Sequence, residues 1–242
     1  MESGSRGESL RQVATKPVTM VAALMGLLVI AFVFFLQQDP ASLRLAAPEA
    51  GYELLPNEGL TDGLPIAILL GPLTVFEISD PAAGGGGAVR ARQVVDNLNA
   101  VVTQLMETPG RVITIESGDD EGMPTIVQKE FEDSQESLEI VRITADDLTL
   151  AEGDDPKLLA RVWAERLTDS LRLLIFGSPP EFSRDTPFGG ALDTLFVNAM
   201  SQEGRLTTDA LVDAFEELPG DLQEALTSFP PLPPPTEPQS SS

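Results

Sequence analysis

Nineteen consecutive residues without a charge, VTMVAALMGLLVIAFVFFL at 18–36, dominate the hydrophobic pattern of this chain. At about 1.5 Å per residue they span roughly 28 Å as a helix, close to the thickness of a bilayer's hydrocarbon core. Lys16-Pro17 opens the run and Gln37-Gln38-Asp39-Pro40 closes it; the next most apolar stretch, 171–176, is far too short to span. Arg6, Arg11 and Lys16 precede the run, whereas only Arg44 lies near its other end. The positive-inside rule therefore predicts a cytoplasmic N-terminus at 1–17, a transmembrane helix at 18–36, and the rest of the chain on the far side. Phe32-Val33-Phe34-Phe35-Leu36 offers no small-x-small cleavage site before Gln37, so the segment reads as an uncleaved signal anchor.

Beyond the anchor the periodicities change. Residues 37–64, with Pro40, Pro48, Pro56, Gly51, Gly59 and Gly63, read as a Pro/Gly-rich stalk. IAILLGPLTVFEIS at 66–79 is two β-type runs around Gly71-Pro72, a predicted hairpin, followed by a flexible loop with four glycines at 84–87. Residues 88–106 repeat at helical spacing: Val89, Val94, Leu98, Val101, Val102 and Leu105 share a face, with Arg90, Arg92, Asp96 and Gln104 outside it. Strands are expected at 111–116, 124–129 and 138–143, with an acidic turn at 118–122. Thr144-Ala145-Asp146-Asp147 has the form of a helix cap. Asp155-Pro156 then opens a second helix over 156–176, its apolar face Leu158, Leu159, Val162, Trp163, Leu167, Leu171, Leu174 and Ile175. Arg161, Glu165, Arg166, Asp169 and Arg172 are expected mainly outside that face.

The predicted fold class is α+β: an extracytoplasmic domain over 65–177 built from a β-hairpin, a helix, about three strands and a helix. Residues 178–229 read as a region of short helices (192–200, 208–218, 221–228) and 230–242 as a Pro/Ser-rich disordered tail that begins as polyproline II. Leu192, Leu195, Phe196, Leu211, Val212, Phe215, Leu218, Leu222, Leu226 and Phe229 give these helices apolar faces. Helices so short do not stand alone, so they either fold onto the core or receive a partner.

Charge narrows the functional classes. The chain carries 15 basic and 38 acidic residues, a net of −23. Residues 1–17 hold three basic and two acidic groups, +1, which leaves 12 basic and 36 acidic, −24, for the rest. Such a surface repels nucleic acid and anionic lipid headgroups and favours cations and basic partners. Cys and His are both absent. That removes disulfides, zinc and haem sites, thiol catalysis and every His-based acid or base.

The remaining chemistry is sparse. Asp119-Asp120-Glu121 with Glu130, Glu132 and Asp133 has the hard oxygens that calcium or magnesium takes, but in a chain acidic throughout they read as a solvated acidic turn. Asp146-Asp147 and Asp154-Asp155 flank helix starts, where carboxylates cap and complement the dipole. Residues 200–218 echo half an EF-hand, but with Gly204 as the turn glycine the first and twelfth ligand positions fall on Ala199 and Ala210, which cannot ligate. Lys129 and Lys157 stand in no Ser-x-x-Lys spacing, and no phosphate-binding glycine motif occurs. No catalytic, cofactor-binding or metal residue is assigned, and no cofactor is expected.

One resemblance adds to this reading. Ile68-Leu69-Leu70-Gly71-Pro72-Leu73-Thr74-Val75-Phe76-Glu77-Ile78 and Val89-Arg90-Ala91-Arg92-Gln93-Val94-Val95, with Ile143-Thr144-Ala145-Asp146-Asp147 and Leu159-Ala160-Arg161-Val162-Trp163-Ala164-Glu165-Arg166-Leu167, resemble one particular protein region. It is the extracytoplasmic region ahead of the channel helices in cyanobacterial proteins of the small-conductance mechanosensitive channel family. The likeness covers about 65–176. It implies a sensor or accessory region without that family's pore helices, since 178–242 contains no spanning segment, and it supplies no catalytic residue. The expected function is a non-catalytic, single-pass accessory or binding protein of the bacterial inner or thylakoid membrane. It is held in the bilayer through 18–36, with a membrane or envelope protein as partner and no nucleic acid. A cation-responsive or structural envelope protein, and a hydrolase that works without His, are the alternatives.

Overall fold

A computed structural model describes residues 47–55, 64–80, 88–108, 110–116, 123–132, 134–203 and 206–232, which lie within one compact unit, Arg44–Ser242. The expected anchor, the four-glycine loop, the acidic turn and the tail beyond Leu232 lie outside the described residues. Among those that are described, no helix is long and apolar enough to cross a membrane.

The elements follow the local signals closely. Strand β1 (Ala50–Leu54) pairs antiparallel with β2 (Leu64–Leu70), which pairs in turn with β3 (Leu73–Asp80), so the first sheet runs β1-β2-β3. The predicted hairpin is present: Ile66 faces Ile78, Ile68 faces Phe76, and Gly71 makes the turn at φ +58°, where a side chain would strain the backbone. β1 corrects the stalk assignment for 37–64. Ala50-Gly51-Tyr52-Glu53-Leu54 has little alternation of its own and becomes a strand because β2 offers it a free edge.

Helix α1 (Val89–Glu107) buries Ala91, Val94, Leu98, Val101, Val102 and Leu105. Val89, expected on that face, is exposed. Ala88 cannot cap α1, and Asp80, at the end of β3, does so from a distance: its Oδ2 accepts the Ala91 N–H at 3.0 Å. The second sheet, β4 (Val112–Glu116), β5 (Thr125–Lys129) and β6 (Ser137–Arg142), is antiparallel in the order β4-β5-β6. Helix α2 (Ala145–Leu150) begins with the predicted capping box between Thr144 and Asp147.

Helix α3 (Pro156–Phe176) has Asp155 as N-cap and Gly177 as its left-handed C-terminal residue, as the sequence indicates. It packs on β3, β4 and β5 and also on α4 (Pro187–Glu203), which carries α5 (Thr208–Glu216) and α6 (Gly220–Thr227). Residues 169–171 and 173–175 are all buried, so on the second half of α3 only a stripe through Thr168, Arg172 and Phe176 stays partly open. This corrects the outward placement of Arg166 and Asp169: a helical wheel drawn for one buried face fails for a helix enclosed between a sheet layer and a helix layer.

The boundary expected at 177 is likewise absent. Leu192, Leu195, Leu211, Leu218 and Leu226 are buried in the same core as the sheets, so the C-terminal helices cover it. The start of the expected disordered tail is also tied down: Leu232 is buried and its N–H bonds to Ala151 O at 3.0 Å. Trp163, the chain's single tryptophan, stacks on Phe76 at 4.8 Å and meets Phe229 edge-on at 6.5 Å, joining the first sheet to the C-terminal segment.

Candidate functional site

Two three-stranded sheets leave four edges, and an edge strand presents unpaired N–H and C=O groups that natural proteins usually cover. Three are covered here by side chains. Asn99 accepts the N–H of Ala50 on β1 at 3.1 Å. On β3, Arg166 donates to Thr74 O at 2.8 Å, while Asp147 accepts the Ser79 N–H at 2.8 Å and Arg90 donates to Ser79 O. On β6, Asn97 and Arg90 donate to Ile140 O and Arg142 O. Arg90 was expected outside the face of α1; it points inward to make these bonds and a bidentate pair with Asp147, whose side chain is fully buried.

Among the described residues the fourth edge is open. β4 pairs only with β5, and among the described residues no other group bonds to its main chain. Alongside it lies a cavity of about 670 Å³. The consecutive residues 110–115 line one wall, so the groove follows the strand's edge and not one pleated face. The opposite wall is a stripe of α3, Arg161, Glu165, Thr168, Arg172 and Phe176, at the spacing of one helical face. A second cavity of about 450 Å³ shares Ile115 and Arg161 and extends the groove to Lys157.

Chemically this groove differs from the rest of the surface. Among the described residues seven large apolar side chains are exposed, and three of them border it: Val112 at 36 %, Ile115 at 37 % and Phe182 at 53 %. Arg111, Arg161 and Arg172 line it within a region whose net charge is −24. Arg172 pairs with Glu181 at 2.8 Å, yet its Nε and that of Arg111 are buried without an acceptor. Burial pushes the Glu165 carboxyl above its ordinary value; Arg161 opposes the shift and Asp169 adds to it. The arrangement suits an extended chain with outward main-chain groups, apolar side chains and carboxylates.

No family model, curated protein or solved structure matches the chain.

The acidic residues singled out from sequence do not converge. Asp119, Asp120, Glu121 and Asp133 lie outside the described residues; Glu130 and Glu132 are exposed. Among the described residues no group of three acidic side chains stands close enough to hold a metal ion. Asp155 is a helix cap, and Ala199 and Ala210 are buried in α4 and α5. Lys129 pairs with Glu116 at 2.6 Å across β4 and β5. The groove escaped the sequence reading because it depends on which edge stays unpaired. The one signal available was the spacing of Arg161, Glu165, Thr168 and Arg172 on one flank of α3.

Glu77 on β3 makes the ionisation of the buried polar residues testable. Burial raises its pKa, against the opposing effects of the Phe229 N–H bond and the Arg166 charge. A carboxyl whose folded pKa lies above its unfolded one loses stability as pH rises through that window, and the cost persists above it. Glu77→Gln, which keeps an oxygen for Phe229, is therefore expected to melt above the wild type at pH 8. The gap should narrow as pH falls toward the ordinary carboxylate range. Thermal melts of both proteins across that range check it; a gap that widens on acidification contradicts the assignment.

Proposed function

We propose that this protein is a non-catalytic, single-pass membrane-anchored binding module. Residues 18–36 hold it in a bacterial inner or thylakoid membrane, and the domain beyond them, periplasmic or lumenal, receives a membrane or envelope protein. The observation that carries the reading is the open edge of β4, flanked by apolar and guanidinium groups while the other three edges are bonded to side chains. A partner segment in extended form adds to β4 as a further strand, its backbone supplying affinity and its alternate side chains specificity. Charge complementarity calls for a segment that alternates apolar and acidic residues, opposite to the basic partner that the bulk charge suggests. The likeness of 65–176 to the region ahead of the pore in mechanosensitive channel proteins supports an accessory role beside another membrane protein.

The test is co-purification of the full-length protein from its native membrane. A charge set on an open edge blocks strand addition. Ile115→Asp is expected to reduce the recovered partner about tenfold or more, a loss of at least about 1.4 kcal/mol of affinity. As a surface change it should leave stability within about 0.5 kcal/mol of wild type. Val212→Asp, an equally exposed position on α5, should leave the yield unchanged. Equal partner recovery with Ile115→Asp and wild type would overturn the reading.

A further inference from the structure

Arg166 sits on the enclosed helix α3 and is only 3 % exposed. Its Nη2 donates to Thr74 O at 2.8 Å and to Ser228 O at 2.9 Å. Two rings lie against the guanidinium, Phe188 at 4.0 Å and Phe229 at 4.9 Å. Nε is buried without an acceptor, and among the described residues Nη1 finds no acceptor and no carboxylate comes within ion-pair distance. Glu77 acts on it only through its field. In a chain with 38 acidic residues, a buried cation with no carboxylate paired to it among the described residues is unusual.

The N–H groups of a planar guanidinium point in its plane, so a further acceptor must approach there. Arg166 borders a cavity of about 460 Å³ that is separate from the β4 groove apart from the shared residue Glu165. Its walls are mainly apolar: Val162, Pro187, Phe188, Ala225, Pro231 and Leu232. The bond from Leu232 N to Ala151 O holds the Pro230-Pro231 strap across it. Such a volume falls within the range of small-molecule pockets, which pair apolar walls with a few placed polar groups. Glu165, Asp221 and Glu224 also line the cavity and disfavour a dianion such as phosphate. Asp221 and Glu224 are exposed to solvent, so it is the buried guanidinium among apolar walls that suits a single anionic head on an apolar body.

We infer that this cavity binds an aliphatic carboxylate, its head on the free edge of the Arg166 guanidinium and its chain between α3, α6 and the Pro230-Pro231 strap. Burial alone lowers the Arg166 pKa to about 9, with Glu77 opposing the shift, and a bound carboxylate supplies the counter-charge that the site lacks. The inference is independent of the β4 groove: either can fail without the other.

Trp163 provides the readout, because it is the only tryptophan and touches Phe229, which itself covers Arg166. The full-length protein in amphipol is titrated with 10-bromodecanoate, whose bromine quenches tryptophan emission at short range, and with 10-bromodecanol. Saturable quenching by the acid is expected, with the alcohol roughly tenfold or more weaker because it cannot form the charge-assisted pair. Ala225→Phe fills the cavity and should abolish quenching by both without altering the unliganded emission. Arg166→Gln, if its emission shows it folded, should bind acid and alcohol alike; should it not fold, Ala225→Phe still decides. Equal affinity of wild type for acid and alcohol, quenching that never saturates, or quenching untouched by Ala225→Phe would each overturn the inference.

Discussion

Replacing Arg90 by Leu is expected to lower the domain's stability by about 3 kcal/mol, at the low end of the cost of breaking a buried ion pair. For a unit of this size that is roughly 6–12 °C in melting temperature. The reasoning starts from Asp147, whose side chain is fully buried. Its oxygens accept from Arg90 Nη1 at 2.7 Å and Nη2 at 2.6 Å, and from the N–H groups of Ser79 and Thr144. Without Arg90 the carboxylate keeps the neutral donors but loses its counter-charge, and the carbonyls of Ser79 and Arg142 lose theirs too. One side chain thus joins α1, β3, β6 and α2. Arg90→Lys cannot reproduce the fork and should recover only part of the loss. Thermal melts of the three proteins check it; a Leu variant within about 0.5 kcal/mol of wild type, the range of an ordinary surface change, would show that the pair contributes nothing.

Asp169→Ala should cost about 2–4 kcal/mol, because one buried carboxylate organises a whole turn. Its two oxygens accept the N–H groups of Glu181, Phe182 and Ser183 and the Ser183 hydroxyl, at 2.7–3.2 Å. No other acceptor replaces it, so truncation strands several donors at once. The effect reaches function, because Phe182 borders the β4 groove and Ser183 lines the Arg166 cavity. Asp169→Asn retains one acceptor oxygen and is expected to lie between Ala and wild type. Equal melting of the Ala variant and wild type would contradict the role assigned to this turn.

Where a structural signal is local, the sequence carries it. Helices α1 and α3, the turn at Gly71, the capping box at Thr144 and the Asp155 cap all follow from spacing, side-chain hydrogen bonding or backbone freedom within a few residues. Features that depend on distant partners did not show. β1 is a strand only because β2 stands beside it; Asp80 caps α1 through the N–H of Ala91, eleven residues on; Arg166 and Asp169 are buried, and Arg90 turns inward, because second layers cover their helices. For the candidate site only the α3 stripe was legible. The openness of β4 is a property of topology, which no window of residues encodes.

The absence of cysteine from the chain allows one measurement to test the account directly. Ile115→Cys in the groove and Val212→Cys on α5 replace side chains of similar exposure, 37 % and 45 %. In purified protein both should react with a membrane-impermeant maleimide at similar rates. In sealed native vesicles that turn the periplasmic or lumenal face outward, residue 212 should label without permeabilisation while residue 115 is protected by its bound partner. Labelling of neither residue until the vesicles are opened would contradict the membrane orientation, and equal labelling of both would contradict occupancy of the groove.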